Sequence, residues 1–405
     1  MITAHAFVPT RAAGLARLQQ FLPAAGRAYA ASRNEDRGPT EARQVSALSP
    51  WIRRRLLTEA EVVAAVLTRH SAAAAEKFIQ EVVWRGYWKG YLEMRPGLYA
   101  RYLAECDALR SSANAAQRQA LERAQQGQTG IECFDAWVDE LRSSGWLHNH
   151  TRMWFASIWV HTLKLPWQLG AEFYYEHLLD ADPAANTLSW RWVAGLHTPG
   201  KHYLAPAENI RRYTLGRYDP QGQLDEHAAP QTEDRPPPAP IALPPAAEVQ
   251  AARVALLLTD EDLHPESWAL TAEARAVALL DLPLGADRPA ARFSAGARAD
   301  ALARARQHFG VDAVPVDAAS LCAWARGCGV RELVTAYAPV GPVASALDQL
   351  APPLAAAGIR LVRLRRPWDA HCWPHARAGY FKLKAQIPQL LQTCLPALDT
   401  LRAVD

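Results

Sequence analysis

No window of the 405-residue sequence approaches the run of about 20 apolar residues that a bilayer span requires. The opening MITAHAFVPTRAAG lacks the apolar core of a signal peptide, so neither membrane insertion nor export is expected. The six cysteines, Cys106, Cys133, Cys322, Cys328, Cys372 and Cys394, form no CxxC pair. That argues against a zinc ribbon, an iron–sulfur cluster and a disulfide scaffold; it points to a reducing cytoplasm, and no metal site is expected. Neither GxGxxG nor GxxxxGKS/T occurs, so ordinary dinucleotide or nucleoside triphosphate binding gains no support. There is no internal repeat.

What is present is unevenly spread. The formal charge of +3 divides into 26 Lys/Arg against 20 Asp/Glu before residue 219 and 18 against 21 after it, so the first half is the candidate for an anionic partner. Ten of the fourteen tryptophans also lie there. Trp needs a partner for its N–H when buried, and this density suggests that something aromatic is handled in that half.

Residues 221–248 include the run PQTEDRPPPAPIALPP, which can hold neither a helix nor a central strand and reads as a stiff linker. The expected organisation is an all-helical domain at 1–218, a proline-rich linker at 219–250 and an α/β domain at 251–405. In the first, apolar residues recur at helical spacing over 11–31, 58–70, 71–93, 97–109, 114–126, 131–145, 146–163, 169–179 and 183–194. In the last, β-rich runs at 254–259, 276–282, 311–316, 332–337 and 359–364 alternate with helical segments at 295–309, 318–327 and 343–357. This is the βαβ rhythm of a Rossmann-like parallel sheet.

Four constellations carry chemistry. In FIQEVVWRGYW, Glu81, Trp84, Arg85 and Trp88 fall at i, i+3, i+4 and i+7 on one helical face. A salt bridge beside core aromatics would account for any one of them, whereas a pocket for a flat, partly anionic ligand accounts for all four. In GWLHNHTRMWFASIW, Asn149, Arg152 and Met153 share a face. The His148-Asn149-His150 triplet invites comparison with HNH nucleases, but those need a hairpin and this segment reads as continuous helix. In LLDADPAANTLSWRWVAG, Asp182, Asn186 and Trp190 follow at i, i+4 and i+8, with Asp180 before them and Trp192 after. Capping a helix that has Pro183 at its first position explains the aspartates but not the shared face of Asn and Trp. The stretch YAASRNEDRGPTEARQVSALSPW is a Ser/Thr-containing loop before a helical run, suited to hold phosphate.

Residues 129–195, TGIECFDAWVDELRSSGWLHNHTRMWFASIWVHTLKLPWQLGAEFYYEHLLDADPAANTLSWRWVAG, resemble the flavin-binding core of the photolyase/cryptochrome family. The WRGYW and SALSP blocks upstream extend the resemblance to roughly 11–217. VALLLTDEDLH, ELVTAYAPVGPVASAL and WDAHCWPHA resemble the family's antenna domain, which usually comes first. The resemblance therefore implies a circular permutation, tolerable where the old termini lie close together at the surface.

By the same resemblance FAD is the cofactor. Tyr29, Arg33, Ser46, Leu48 and Ser49 would line its phosphate and ribitol side, and Arg85 would face the pyrophosphate. Arg152 and Asp180 would pair along the isoalloxazine, Asp182 would accept from the ring, and Asn186 would sit opposite N5. Glu81, Trp84, Asn149, Met153 and Trp192, with Arg33, would form a lesion pocket in which tryptophans stack on flipped bases. Trp190 and Trp167 would be the inner electron donors, with Trp159 or Trp154 at the outer position. The catalytic set is then Glu81, Asn149, Asn186, Trp190 and Trp167.

Departures from the family pattern are Val45, Ala124, His150 and Ala205, the last two where arginines usually meet DNA. The loss should weaken DNA affinity, with Lys201, Arg211 and Arg212 near enough to compensate. The implied activity is light-driven splitting of cyclobutane pyrimidine dimers in DNA by a carbon–carbon lyase. The alternative is a blue-light photoreceptor that signals to a partner through flavin redox state. A monomer is expected, and an antenna chromophore, if bound, is not identified by these residues.

Overall fold

A computed structural model describes residues 7–39, 45–282 and 288–395. Its helical half comprises α1 (Arg11–Phe21), α2 (Arg27–Ser32), α3 (Ser49–Arg53), α4 (Glu59–Leu67), α5 (Glu76–Glu93), α6 (Gly97–Ser112), α7 (Ala115–Gln125), α8 (Glu132–Ser144), α9 (Asn149–Ser157), α10 (Trp167–His177), α11 (Pro183–Ala194) and α12 (Ala207–Tyr213). Local chemistry sets most of these boundaries. Thr58 and Glu61 close a reciprocal capping box at the start of α4. Asp182 caps α11 through Ala185 N with Pro183 at the first position, and Gly195, at φ 90°, ends it in the left-handed region. The window at 146–163 is not one helix: α9 begins at Asn149 and runs into a wider π turn over Ile158–Thr162.

The second half contains β1 (Arg253–Leu258), β2 (Glu273–Asp281), α13 (Pro289–Phe309), β3 (Ala313–Asp317), α14 (Leu321–Gly327), β4 (Glu332–Ala336), α15 (Pro342–Ala356), β5 (Arg360–Leu364), α16 (Pro367–Cys372), α17 (Tyr380–Lys384) and α18 (Ile387–Cys394). The strands form one parallel sheet in the order β3-β2-β1-β4-β5. Central β1 is apolar and buried after its first residue, as a sheet covered on both faces requires. Its alternation serves two cores. Leu256 and Leu258 join the core shared with the helical half, while Ala255 and Leu257 face the core of Leu321, Leu347 and Leu354. The fold is thus helical plus Rossmann-like α/β. The short helices α3, α12, α16 and α17 span too few residues to show a helical period in sequence, and the amphipathic α18 lies outside the expected segments.

Three consecutive arginines join the halves. Arg53 makes a two-pronged pair with Glu261 at 2.7 Å for each prong. Arg54 donates to Ser294 Oγ and to the carbonyls of Leu179 and Ala290. Arg55 pairs with Asp369 at 2.5 Å. Residues 219–250 contain no regular element and run along the helices, with Gln231 N donating to Ala194 O and Ile241 N to Met94 O. Glu233 pairs with Arg191.

Candidate functional site

The turn between α10 and α11 places two carboxylates at the centre of the helical half. Asp180 receives Arg152 Nη1 at 3.0 and 3.2 Å, and Arg152 is itself steadied by Nε donating to Leu147 O. Burial alone would push the Asp180 carboxyl up. Arg152, Arg85 and the Ser49 hydroxyl outweigh it and hold the group below its ordinary value. The expected Arg152–Asp180 pair is therefore formed.

Asp182 is the focus of an unfinished polar cluster. One oxygen caps α11; the other, Oδ2, is buried without a hydrogen bond. Around Oδ2 stand Arg85 Nη2 at 3.8 Å, Lys89 Nζ at 3.9 Å and Arg53 Nε at 3.9 Å. Burial again opposes ionisation, and Lys89, Arg53 and Arg85 prevail, keeping Asp182 anionic. Arg53 is consumed by Glu261 and by Ala181 O. Arg85 Nε and Nη2 and Lys89 Nζ, by contrast, have no hydrogen-bond partner among the described residues. Buried polar groups are almost always paired, so this concentration of orphaned donors around one acceptor marks where a ligand with anionic and amide groups belongs. The residues present fit FAD.

Asn186, one turn into α11, donates its amide to Ala171 O at 2.6 Å, which fixes its orientation. Tyr29 is buried edge-on against Phe21 and Phe78. Leu48 is fully buried at the start of α3, beside Ser49, while Ser46 and Val45 are held by Arg17 on their carbonyls.

The outer face of α5 is less convergent than its spacing suggests. Glu81 pairs with Arg33 at 2.5 Å; burial dominates there and leaves its carboxyl above the ordinary value despite the guanidinium. Trp84 packs on Trp88 and lies flat on Tyr380, Trp88 meets His197, and Arg85 turns inward to Asp182. The four side chains thus take separate partners beyond α5. Asn149 is exposed at the start of α9, Met153 is half-buried one turn on, and half-buried Trp192 stacks on Tyr203. His150 is committed internally, to Asn34 O, to the Tyr203 hydroxyl and to the face of Trp154.

Trp190 touches Tyr174, Trp159 and Phe155 edge-on. Gly170 makes room for it, since a Cβ there would lie 2.4 Å from the indole. Trp167 stacks on Tyr102 at 5.6 Å. Neither expected outer tryptophan reaches solvent. Trp159 is fully buried against Trp190 itself, and Trp154 is enclosed by Trp137 and His150.

Two residues of this site escape sequence reasoning. Lys89 lies four positions after Arg85 on α5, and that spacing was the available signal. Tyr380 had none, because its partner Trp84 lies about three-quarters of the chain length away.

The family pattern of the FAD binding domain of DNA photolyase matches residues 78–279. The chain is 31% identical over 224 residues to a deoxyribodipyrimidine photo-lyase of Thermus thermophilus, covering 55% of this chain and 51% of that protein. It is 30% identical over 166 residues to the Escherichia coli enzyme, covering 40% and 34%. A class III photolyase from Agrobacterium tumefaciens superimposes with a TM-score of 0.43 at 26% identity, over 50% of this chain and 42% of that one. The chain thus spans about a third to a half of these relatives. It belongs to the photolyase/cryptochrome family and carries that family's FAD-binding domain.

Proposed function

We propose that the protein is an FAD-dependent, light-driven lyase acting on cyclobutane pyrimidine dimers in DNA. The supporting observation is that the residues matched to the lesion, Arg33, Glu81, Trp84, Asn149, Met153 and Trp192, are all reached by solvent. Tryptophans serving only as core would be enclosed, as Trp51, Trp137, Trp154 and Trp159 are.

When bound, FAD supplies light absorption and one-electron chemistry. The chain's residues bind and orient. Arg85 offers a planar fork for phosphate oxygens, and Asp182 accepts from an imide N–H. Trp84 and Trp192 offer stacking surface to flipped bases, and Glu81 offers a polar group to a base edge. Trp190, one helical turn from Asn186 on α11, is the inner electron donor, and Trp167, stacked on Tyr102, is matched to the next position.

One observation favours a photoreceptor instead. His150 stands where a DNA-contacting arginine is usual and is tied up internally, so that cationic contact is absent. Repair under blue light, with tighter binding to dimer-containing than to intact duplex, supports the lyase. No repair together with equal binding of the two duplexes supports the receptor.

A further inference from the structure

Lys89 is 2% exposed, and its Nζ makes no hydrogen bond among the described residues. A buried ammonium costs several kcal/mol of lost hydration, which is recovered only through paired and hydrogen-bonded partners. The three carboxylates around it do not meet that need. Asp182 Oδ2 is 3.9 Å away, outside hydrogen-bonding range. Glu59 is 3.4 Å from Arg55, and Asp369 is 2.5 Å from the same arginine. Both are therefore already partnered by another cation, although Lys89 lies within their field and Asp369 Oδ1 is itself buried without a hydrogen bond.

The direction of the unmet need is set by the neighbours. Lys89 is one helical turn from Arg85, and both cations flank the same free oxygen of Asp182 without bonding it. Donors and acceptor thus border a common space. The remaining cation on that oxygen, Arg53, is saturated by Glu261 and Ala181 O, so the space belongs to Arg85 and Lys89.

We infer that Lys89 is a further cofactor-binding residue, whose ammonium contacts the flavin ring edge beside Asp182 and favours the reduced, anionic cofactor over the oxidised, neutral one. This rests on the reading that FAD occupies the site. A competing structural role is countercharge to Glu59 and Asp369 at the junction with α16.

The test compares full-length wild type, Lys89→Met and Lys89→Arg, each reconstituted with FAD. It reads cofactor stoichiometry, affinity by flavin fluorescence, midpoint potential and the melting temperature of the apoprotein. In Lys89→Met, reduced FAD should lose about tenfold more affinity than oxidised FAD, equivalent to a fall of about 30 mV for the two-electron couple. Lys89→Arg should recover most of that shift. If Lys89→Met folds poorly, the pair Lys89→Met with Asp369→Asn removes the opposing charge as well, and the same lowered potential is expected. A wild-type potential in either folded variant overturns the inference and leaves Lys89 as countercharge alone. Wild-type protein that takes up no FAD overturns the cofactor reading instead, a failure seen before any variant is compared.

Discussion

The ring of Tyr380 lies flat on that of Trp84, with centroids 3.6 Å apart and planes 9° from parallel. The Tyr380 hydroxyl donates to Gln80 O, 300 residues earlier in the chain. One face of Trp84 is thereby occupied, so a base can stack only on the other. Tyr380→Leu should lose the stacking term, about 0.5–1.5 kcal/mol of stability, and shift Trp84 fluorescence. Trp84→Ala should weaken binding to dimer-containing DNA about 5- to 150-fold, corresponding to ~1–3 kcal/mol of stacking per base. FAD should stay bound in both variants. Titration of labelled duplex checks the pair, and unchanged affinity in Trp84→Ala would remove that ring from the substrate site.

The Arg152–Asp180 pair gives a second expectation. Asp180→Asn leaves Arg152 facing a neutral group in a largely buried setting, and breaking a buried pair costs about 3–5 kcal/mol; the 22% exposure of Arg152 places the cost at the lower end. The folded carboxyl is held below its ordinary value, so its stabilisation is complete above pH ~4 and is lost as pH falls through the folded value. Asp180→Asn should flatten that acid limb and lose FAD. Urea melts at pH 7 and pH 3.5 would show it, and a wild-type limb in the variant would count against the pairing.

His197 supplies a third. Burial, reinforced by Arg191 and Arg95, pushes the imidazole down to about 4, and its Nε2 lies 2.9 Å from the Tyr87 hydroxyl. A base whose folded value is lowered stabilises the protein above the ordinary 6.5 and loses that contribution as pH falls towards 4. The loss is on the order of 1–3 kcal/mol after allowing for partial exposure. Buried His148 and half-buried His264 shift in the same direction, so the melting temperature should decline across this window. His197→Phe should remove part of the decline, read by calorimetry at half-unit steps.

Photoreduction provides the fourth. Trp190→Phe should slow light-driven cofactor reduction by an external donor at least tenfold while retaining FAD. Trp167→Phe should do the same. Trp159→Phe should leave the rate near wild type, because Trp159 is fully buried and does not itself reach an external donor. Gly170→Ala, which drives a Cβ to 2.4 Å from Trp190, should cost about 1–3 kcal/mol by overpacking. A wild-type rate in Trp190→Phe would take the tryptophan chain out of the reaction.

Much of the polar cluster at the α10–α11 turn was legible because it is written in one turn and one helix. Asp180, Asp182, Asn186 and Trp190 lie within eleven consecutive residues, where capping rules and the 3.6-residue period fix relative positions from local sterics alone. The same holds for the five strands, each found within three residues of its expected start. Side-chain direction across elements was less legible. Glu81, Trp84, Arg85 and Trp88 share helical spacing, yet they turn to Arg33, Tyr380, Asp182 and His197, because each is drawn to whatever packs against that part of α5.

By itself, then, the sequence determined the helical and βα order, the chain of caps and the identity of the residues around the α10–α11 turn. All of these follow from interactions a few residues apart. Only the tertiary structure decided that Lys89 would be buried without a bond, that Tyr380 would cover one face of Trp84, and that Arg53, Arg54 and Arg55 would tie the helices to the sheet. Those pairings join residues some 200 to 300 positions apart, where the outcome depends on which surfaces meet once both cores have formed. Local spacing carries no record of that meeting, because the energy deciding it comes from desolvating one half of the chain against the other.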